Sequence, residues 1–246
     1  MQASVAVVMI HLKCPLRAQE ARNLPMYNDG FGMKVKLYSY WRSSSSYRVR
    51  CALNLKGIEY DIFPVHLVKD GGEHRTENFQ SLNPKMEVPV LEMDGLILTQ
   101  SMAMMDFLES RYEDPKLFPE SPTLRAKAIE LCEIINSGIQ PLQNLGTLKT
   151  LEAFYQIDRG QWPDWIRHWI SLGFKALEVQ LAKRTDPFSF GKRPGVLECY
   201  LVPQVYNANR YELDMSPFPR IQKIYDRCMQ LEPFQLAAPE AQPDAE

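Results

Sequence analysis

The chain is poor in the residues that build metal centres and disulfide frameworks. Its 246 residues include five cysteines and four histidines. The cysteines are scattered and odd in number, with no C-x-x-C pair, which argues against a disulfide framework or a zinc site and favours a reducing compartment. No histidine stands at metal-ligand spacing from another type of ligand. We therefore expect no metal ion and a cytoplasmic location.

The sequence also lacks a transmembrane-length apolar run and any block of like charge. The formal net charge is -2, so neither nucleic acid nor an anionic membrane is expected as a main partner. Residues 4–10 are apolar, like the middle of a signal peptide, but no Lys or Arg precedes them and the run is short. We expect residues 1–32 to be a poorly ordered extension, with a targeting role as the open alternative.

Residues 33–114 are the first region with a regular pattern. Alternating apolar residues predict strands, and Asp94-Gly95 is a strong signal for a hairpin turn. The predicted strands are residues 34–40, 59–65, 89–93 and 96–99, and the predicted helices are residues 45–56 and 101–112. A βαβ unit followed by a hairpin and a helix makes a small mixed sheet flanked by helices.

The residue pattern over 121–235 predicts an all-helical second domain. Three prolines within residues 113–122 form a stiff linker that no helix could cross, so the domain boundary is placed there. The predicted helices are residues 122–152, 161–184, 196–208 and 219–231. Residues 236–246 are rich in Pro, Ala, Gln and acidic residues and are expected to form a frayed tail.

Four consecutive serines, Ser43 to Ser46, occupy the predicted start of the first helix. A helix start has free N–H groups and the positive end of the helix dipole, so it favours anions. Small hydroxyl residues there can donate to an anionic ligand atom, including a thiolate. A serine-rich N-cap is also a common structural device. Taken alone, the run leaves both interpretations open.

Five motifs in order along residues 33–242 resemble the zeta class of glutathione transferases, which contains maleylacetoacetate isomerase. The motifs are Tyr38-Ser39-Tyr40-Trp41-Arg42-Ser43-Ser44 with Arg48-Val49-Arg50, Asn83-Pro84 with Val88-Pro89, Gln100-Ser101, residues 139–144 and residues 201–205. The resemblance implies a thioredoxin-like α/β domain with a four-stranded mixed sheet, followed by an all-α domain. It also implies glutathione as the cofactor and a homodimer.

The resemblance implies a glutathione site built from these motifs. Val88-Pro89 would be a cis-proline corner, where the Val88 backbone pairs with the cysteinyl backbone of glutathione like an added strand. Gln100 and Ser101, the latter as an N-cap, would meet the γ-glutamyl carboxylate. The other glutathione-binding candidates are Ser43, Ser44, Ser45, Arg48, His74, Gln140 and Asn144.

Three of these candidates carry more specific expectations. Gln140 and Asn144, four positions apart on one helix, would present one face to the pocket. His74 would lie near the glycine end of glutathione, with a surface histidine as the alternative. An ordinary loop proline at Pro89 and a structural ion pair at Arg48 are the other open alternatives.

The resemblance further implies catalysis by a thiolate. A free thiol has a pKa near 8.5, so about 3% is ionised at pH 7, and lowering the pKa by about 2 units takes about 2.7 kcal/mol. A hydroxyl hydrogen bond and a helix N-terminus can supply that stabilisation. We assign this role to Ser43, with Ser44 as support. Arg42, Arg48 and Arg210 are the candidates for the substrate carboxylates and the developing enolate.

Two positions depart from the family pattern. Ser45 stands where many members have cysteine, so side reactions that depend on that cysteine are in doubt. Gly195 replaces the hydroxyl residue of a capping box, although Glu198 can still reach back to the Gly195 N–H. Gly195→Ser is therefore expected to raise stability by about 0.5 kcal/mol or less.

The leading hypothesis is a cytoplasmic, homodimeric, glutathione-dependent isomerase that converts maleylacetoacetate into fumarylacetoacetate in tyrosine and phenylalanine breakdown. A maleylpyruvate isomerase or a general glutathione transferase is the alternative. Maleylpyruvate isomerases carry arginine where this chain has Leu145 or Gly146, which disfavours that alternative. A glutathione-binding protein without turnover is a further alternative, disfavoured by Ser43-Ser44 and Gln100-Ser101.

Overall fold

A four-stranded mixed sheet lies in the N-terminal part of the described chain. The computed structural model describes residues 34–246, and the expected extension at residues 1–32 lies outside the described residues. The strands are β1 (Val35–Ser39), β2 (Asp61–Pro64), β3 (Val90–Met93) and β4 (Leu96–Leu98). Their order in the sheet is β2-β1-β3-β4, with β1 parallel to β2 and the other pairs antiparallel. The predicted mixed sheet is confirmed.

Ten α-helices occur within residues 34–246. They are α1 (Ser44–Leu55), α2 (Glu77–Leu82), α3 (Ser101–Arg111), α4 (Pro122–Asn136), α5 (Gln140–Gln143), α6 (Leu145–Tyr155), α7 (Trp162–Leu181), α8 (Val196–Arg210), α9 (Pro219–Cys228) and α10 (Glu232–Ala237). None of these described helices combines the length and the apolarity needed to cross a bilayer.

The helix that carries the serine run is the central connector of the fold. Its residues from Ser46 to Leu53 are buried, and α1 packs against α3, α8 and α10. β1 and β2 pair in parallel because α1 provides the crossover between them. The hairpin between β3 and β4 turns at Asp94 and Gly95, which both have positive φ as a two-residue turn requires. The N-terminus of α1 is therefore held by elements on several sides.

The sheet region and the helical region share one apolar core. Leu37 of β1, Leu53 of α1 and Leu201 of α8 belong to the same buried cluster. The chain between the regions is itself anchored, since Leu117 and Phe118 are buried and donate their N–H groups to the Glu109 carboxylate. The change from sheet to helices occurs where the prolines predict it, and the division into two domains stays a prediction.

The C-terminal tail is packed, so the expectation of a frayed tail is wrong. Phe234 and Ala237 of α10 are buried against α1. The side chain of Gln242 is buried and donates to two carbonyl oxygens at the end of α10. Composition alone predicts fraying, because the surface that receives the tail lies almost 200 positions earlier in the chain.

The predicted helix over residues 122–152 is divided into α4, α5 and α6. The division falls between Ser137 and Asn144, where Pro141 lies in the first turn of α5. A proline has no N–H to donate and suits the first turn of a helix better than its interior. Because of this break, residues 140 and 144 do not belong to one continuous helix.

Gly195 allows a close approach of two backbone segments, which reverses the expected effect of a serine there. The predicted bond is present, with the Gly195 N–H donating to Glu198 Oε2 at 2.8 Å. However, a Cβ atom at residue 195 would lie 2.5 Å from the carbonyl oxygen of Leu117. That oxygen already accepts the N–H of Val196 at 2.8 Å and cannot move freely. A side chain at this position therefore costs stability.

Candidate active site

A cavity of about 790 Å³ opens beside the start of α1. Its walls come from the loops around the sheet on one side and from the region between α4 and α6 on the other. The predicted residues that line it are Ser43, Ser45, His74, Val88, Gln100, Gln140 and Asn144. The predicted residues that do not line it are Arg42, Ser44, Arg48, Pro89, Ser101 and Arg210.

Ser43 is both the N-cap of α1 and a wall residue of the cavity. Its backbone is extended, and its Oγ accepts the N–H of Ser46 at 3.2 Å. Accepting that bond uses an oxygen lone pair and leaves the hydroxyl proton available to donate elsewhere. The two interpretations of the serine run are thus compatible at Ser43. Ser44 is the first residue of α1 and lies outside the cavity lining, whereas Ser45 lies within it.

The Val88–Pro89 peptide bond is cis, and Val88 faces the cavity. Asn83 shapes the turn before it, because its side-chain nitrogen donates to the Glu87 carbonyl at 2.7 Å and its oxygen accepts the Lys85 N–H at 3.0 Å. Within residues 34–246, the N–H and C=O of Val88 have no hydrogen-bond partner. Unpaired backbone groups at a buried residue suit a ligand that binds as an added strand.

Gln100, and not Ser101, is the N-cap of α3, so the prediction of Ser101 as the cap is wrong. No side chain caps this helix, so its first N–H groups remain free for an anion at the cavity. The Ser101 hydroxyl is buried instead, 3.2 Å from the hydroxyl of Tyr200 and 3.4 Å from Arg48 Nη1. The backbone N–H of Ser101 is one of these free groups at the helix start, whereas its side chain forms hydrogen bonds inside the protein.

Arg48 stands behind the cavity wall rather than in it. Its Nη1 donates to Asn136 Oδ1 at 2.6 Å, and its guanidinium lies 4.4 Å from the centre of the Tyr200 ring. Burial lowers the pKa of Arg48, and no described carboxylate forms an ion pair with it. Arg48 thus has neutral hydrogen-bond partners in place of the ion pair expected as its structural alternative, and its role toward glutathione stays a prediction. Asn136 lines the cavity and was not found from the sequence.

Gln140 and Asn144 both reach the cavity, but not from one helical face as predicted. Gln140 begins α5, while Asn144 is the N-cap of α6 and accepts the Thr147 N–H at 2.8 Å. The break at Pro141 places them on separate elements. Both side chains reach the cavity because a turn joins α5 to α6 at this point. A spacing of four residues predicts a common face only in one continuous helix.

Two of the candidate arginines, Arg42 and Arg210, are not among the residues that line the cavity. Arg42 stacks on the Trp41 ring at 4.5 Å, and Arg210 stacks on the Tyr211 ring at 5.0 Å. Burial and the hydrogen bond to Glu240 raise the pKa of the Tyr206 hydroxyl to about 12, while Arg210 and Arg42 act in the opposite direction. A role of either arginine toward the substrate stays a prediction.

The cations that do line the cavity are Arg75 and Lys85, which the sequence did not single out. His74 lines the same cavity, and its pKa is lowered by burial and further by the charges of Arg75 and Lys149. His74 is thus neutral at pH 7 and acts as a hydrogen-bonding group, while the neighbouring side chains supply positive charge. In the sequence, the one indication of a role for Lys85 is its position between the Asn83-Pro84 and Val88-Pro89 motifs.

Comparison with known proteins identifies the family. Residues 33–110 match the family described as "Glutathione S-transferase, N-terminal domain". Maleylacetoacetate isomerase from Mus musculus is 45% identical over 211 residues, which cover 86% of this chain and 95% of the relative. A solved maleyl pyruvate isomerase, described as a bacterial glutathione transferase in the zeta class, superposes with a TM-score of 0.83 at 40% identity. The chain belongs to the zeta class of glutathione transferases.

The zeta-class membership confirms the family and the fold predicted from the five motifs. The match to the solved maleyl pyruvate isomerase covers 86% of this chain and 100% of that one. A maleylacetoacetate isomerase from Anaeromyxobacter dehalogenans, solved with dicarboxyethyl glutathione and citrate in its active site, matches with a TM-score of 0.79 and 41% identity over 90% of this chain and 97% of that one. The zeta-class fold places the start of α1 and the cis-proline turn at one cavity.

Proposed function

We propose that this zeta-class protein is a glutathione-dependent isomerase that converts maleylacetoacetate into fumarylacetoacetate, as in the breakdown of tyrosine and phenylalanine. The observation that carries the proposal is that the Ser43 hydroxyl and the unpaired backbone of Val88 line the same cavity. The 45% identical relative named for this reaction, and the solved relative with a glutathione conjugate, support the substrate class.

The cavity suits glutathione along its whole length. Its volume of about 790 Å³ is in the range of small-molecule sites. The free N–H groups at the start of α3 suit the γ-glutamyl carboxylate, and the Val88 backbone suits the cysteinyl unit. Arg75 and Lys85, which line the same cavity as His74, offer positive charge for the glycine carboxylate. The cavity therefore holds a donor group for each of the three parts of glutathione.

Bound glutathione supplies a thiolate that adds reversibly to the cis double bond, which becomes single and rotates before the thiol leaves. We propose that the Ser43 hydroxyl donates a hydrogen bond to that sulfur, and that the N-terminus of α1 adds the stabilisation of its dipole. Ser44, one position further, supports the same helix start. We further propose that Arg42 and Arg210, which stand outside the cavity lining here, bind the substrate carboxylates and stabilise negative charge that develops on the substrate oxygen.

We also propose that the protein is a cytoplasmic homodimer. The four described cysteines, Cys51, Cys132, Cys199 and Cys228, are all buried and unpaired, which suits a reducing compartment. Phe154 and Tyr155 are 79% and 72% exposed, and neighbouring exposed aromatic side chains favour a protein interface. Light scattering coupled to size-exclusion chromatography measures the oligomeric state, and a monomer at working concentration would contradict the dimer.

A maleylpyruvate isomerase is the second candidate, favoured by the solved relative of that name at 40% identity. Leu145 and Gly146 line the cavity of this chain, so neither position supplies the arginine expected of that activity. Turnover of maleylacetoacetate and maleylpyruvate under the same conditions separates the two. A general glutathione transferase would instead act on α-halo acids or peroxides, and a binding protein would retain glutathione without any turnover.

The decisive experiment compares the wild type with Ser43→Ala and Ser110→Ala. Ser110 is an exposed serine of α3 whose hydroxyl bonds only to the preceding helical turn, so it controls for the loss of a hydroxyl. We expect Ser43→Ala to lower kcat by about 100-fold, the equivalent of about 2.7 kcal/mol, with a smaller effect on the KM for substrate. Near-normal turnover in Ser43→Ala would assign thiol activation to another residue, with Ser44 next in line.

A further inference from the structure

The turn that delivers Ser43 to the cavity depends on how Trp41 is held. The Ser43 N–H donates to the Tyr40 carbonyl at 3.0 Å, which closes a turn with Trp41 and Arg42 at its centre. Such a turn leaves the N–H and the C=O of its first central residue unused by its closing bond. Both groups of Trp41 are instead bound by charged side chains from other parts of the chain.

Arg50 of α1 binds the carbonyl of Trp41. Its Nη2 donates to that oxygen at 2.9 Å, its Nη1 donates to Ser39 Oγ at 3.0 Å, and its Nε donates to the Ala237 carbonyl at 2.9 Å. The Arg50 side chain is fully buried. The orientation of the peptide after Trp41 distinguishes one turn type from another. Arg50 therefore fixes that peptide and connects it to the C-terminal tail.

Asp244 binds the N–H of the same residue from the opposite end of the chain. Its Oδ2 accepts the Trp41 N–H at 3.0 Å, across 203 positions of sequence. Asp244 is also the carboxylate whose charge acts on Arg50, and burial otherwise lowers the pKa of that guanidinium. The packed tail, with Gln242 buried next to α10, delivers Asp244 to this point. Two opposite charges thus bind the two backbone groups of Trp41.

We propose that Asp244 is a positioning residue for thiol activation, acting on Ser43 through the backbone of Trp41. The proposal rests on the proposed glutathione chemistry. Asp244 is not among the residues that line the cavity, so its effect passes through the turn. Without it, the Trp41 N–H loses a charge-assisted bond and the turn that sets the Ser43 hydroxyl can relax. A misplacement of about 1 Å can reduce a rate by about 100-fold.

The test uses the full chain with glutathione bound and compares Asp244→Ala, Asp244→Asn and Glu246→Gln. Asparagine keeps an oxygen that can accept the Trp41 N–H, and alanine does not. Glu246→Gln removes one negative charge from the same tail, where the carboxylate contacts His66 at 3.0 Å instead of Trp41. The main readout is the ultraviolet absorbance of the bound thiolate as a function of pH, with kcat and the Kd of glutathione measured alongside.

We expect Asp244→Ala to raise the pKa of the bound thiol by about one unit. At a pH well below the wild-type pKa of the bound thiol, the thiolate fraction and kcat then fall about tenfold, while the Kd of glutathione changes by less than about twofold. Turnover recovers at alkaline pH, where the thiol ionises without help. Asp244→Asn restores most of the wild-type titration, and Glu246→Gln leaves the titration unchanged.

A purely structural tail contact predicts a different result, in which Asp244→Ala lowers thermal stability and the bound thiol titrates as in the wild type. That result overturns the inference. If the alanine variant does not fold, Asp244→Glu decides, because it moves the carboxylate by one methylene: a displaced thiol titration supports the proposal and an unchanged one overturns it. Failure of the proposed function looks different again, since the wild type itself would then show no thiolate when glutathione binds.

Discussion

The guanidinium of Arg48 donates to the side-chain oxygen of Asn136 at 2.6 Å, and this bond joins α1 to α4 directly behind the cavity. Arg48 is 1% exposed, so its charge depends on the few neutral groups that surround it. The bond connects a helix of the sheet region to a helix of the second region. Variants that break the Arg48–Asn136 bond therefore test how far the cavity depends on contact between the sheet region and the helical region.

Asn136→Ala is expected to destabilise the protein by about 1.5–3 kcal/mol, because the buried guanidinium loses its short bond and keeps only the longer contact with Ser101. Arg48→Met, alone and combined with Asn136→Ala, completes a double-mutant cycle measured by urea denaturation. The double variant should be less destabilised than the sum of the single variants, since the unpaired charge is then gone. Additive losses would show that the bond contributes nothing of its own.

Ser43 offers a way to separate capping from catalysis. Aspartate at residue 43 can accept the Ser46 N–H as a cap but has no proton to donate to a thiolate. Ser43→Asp should therefore keep the thermal stability of the wild type and lose turnover, whereas Ser43→Ala should lose turnover and about 1 kcal/mol of stability. Full turnover in the aspartate variant would exclude a donating role for the hydroxyl.

Gly195→Ala is expected to destabilise the protein by about 1–3 kcal/mol, the usual cost of a side chain forced into packed surroundings. The cause is the rigid carbonyl of Leu117, 2.5 Å from the added Cβ. Gly160→Ala is the control, because Gly160 is exposed and the added Cβ would meet only the Asp158 carboxylate at 3.0 Å. Denaturation midpoints should fall for residue 195 and stay near the wild type for residue 160; equal shifts would contradict this account.

The four described cysteines are expected to be unreactive in the native protein. Burial raises the pKa of each thiol, and all four side chains are completely inaccessible to solvent. A thiol is a nucleophile only when ionised, so alkylating agents should not modify these four residues. Peptide mass spectrometry after iodoacetamide treatment measures this residue by residue. Modification of any of them before unfolding would be evidence of local opening.

His74 should make the stability of the protein fall on acidification. Its pKa in the folded state is lowered, first by burial and then by Arg75 and Lys149, so the unfolded chain takes up a proton at a higher pH than the folded one. The contribution is fully present above about pH 6.5 and is lost as the pH falls through the lowered pKa. The stability of wild type minus His74→Gln should thus be constant above pH 7 and decrease at pH 5.5. A difference that does not change with pH would contradict the depressed pKa.

Local patterns predicted the parts of the fold that depend on neighbouring residues. The alternation around Leu37, the turn at Asp94-Gly95 and a helix start within the serine run were predictable, because each depends on a few consecutive residues. The helix begins at Ser44, one position before its predicted start, with Ser43 as its cap. The order of the five motifs then identified the family. Spacing failed at Gln140 and Asn144, where one proline divided the helix that the spacing assumed.

The sequence alone determined the order of the four strands, a serine-rich start of α1 and the resemblance to the zeta class. Only the tertiary structure decided which groups meet at a distance: Asp244 with Trp41, Arg48 with Asn136, and Leu117 with Gly195. The physical reason is that burial and hydrogen bonding between distant segments depend on how whole elements pack. A local pattern contains no information about the partner that packing brings to it.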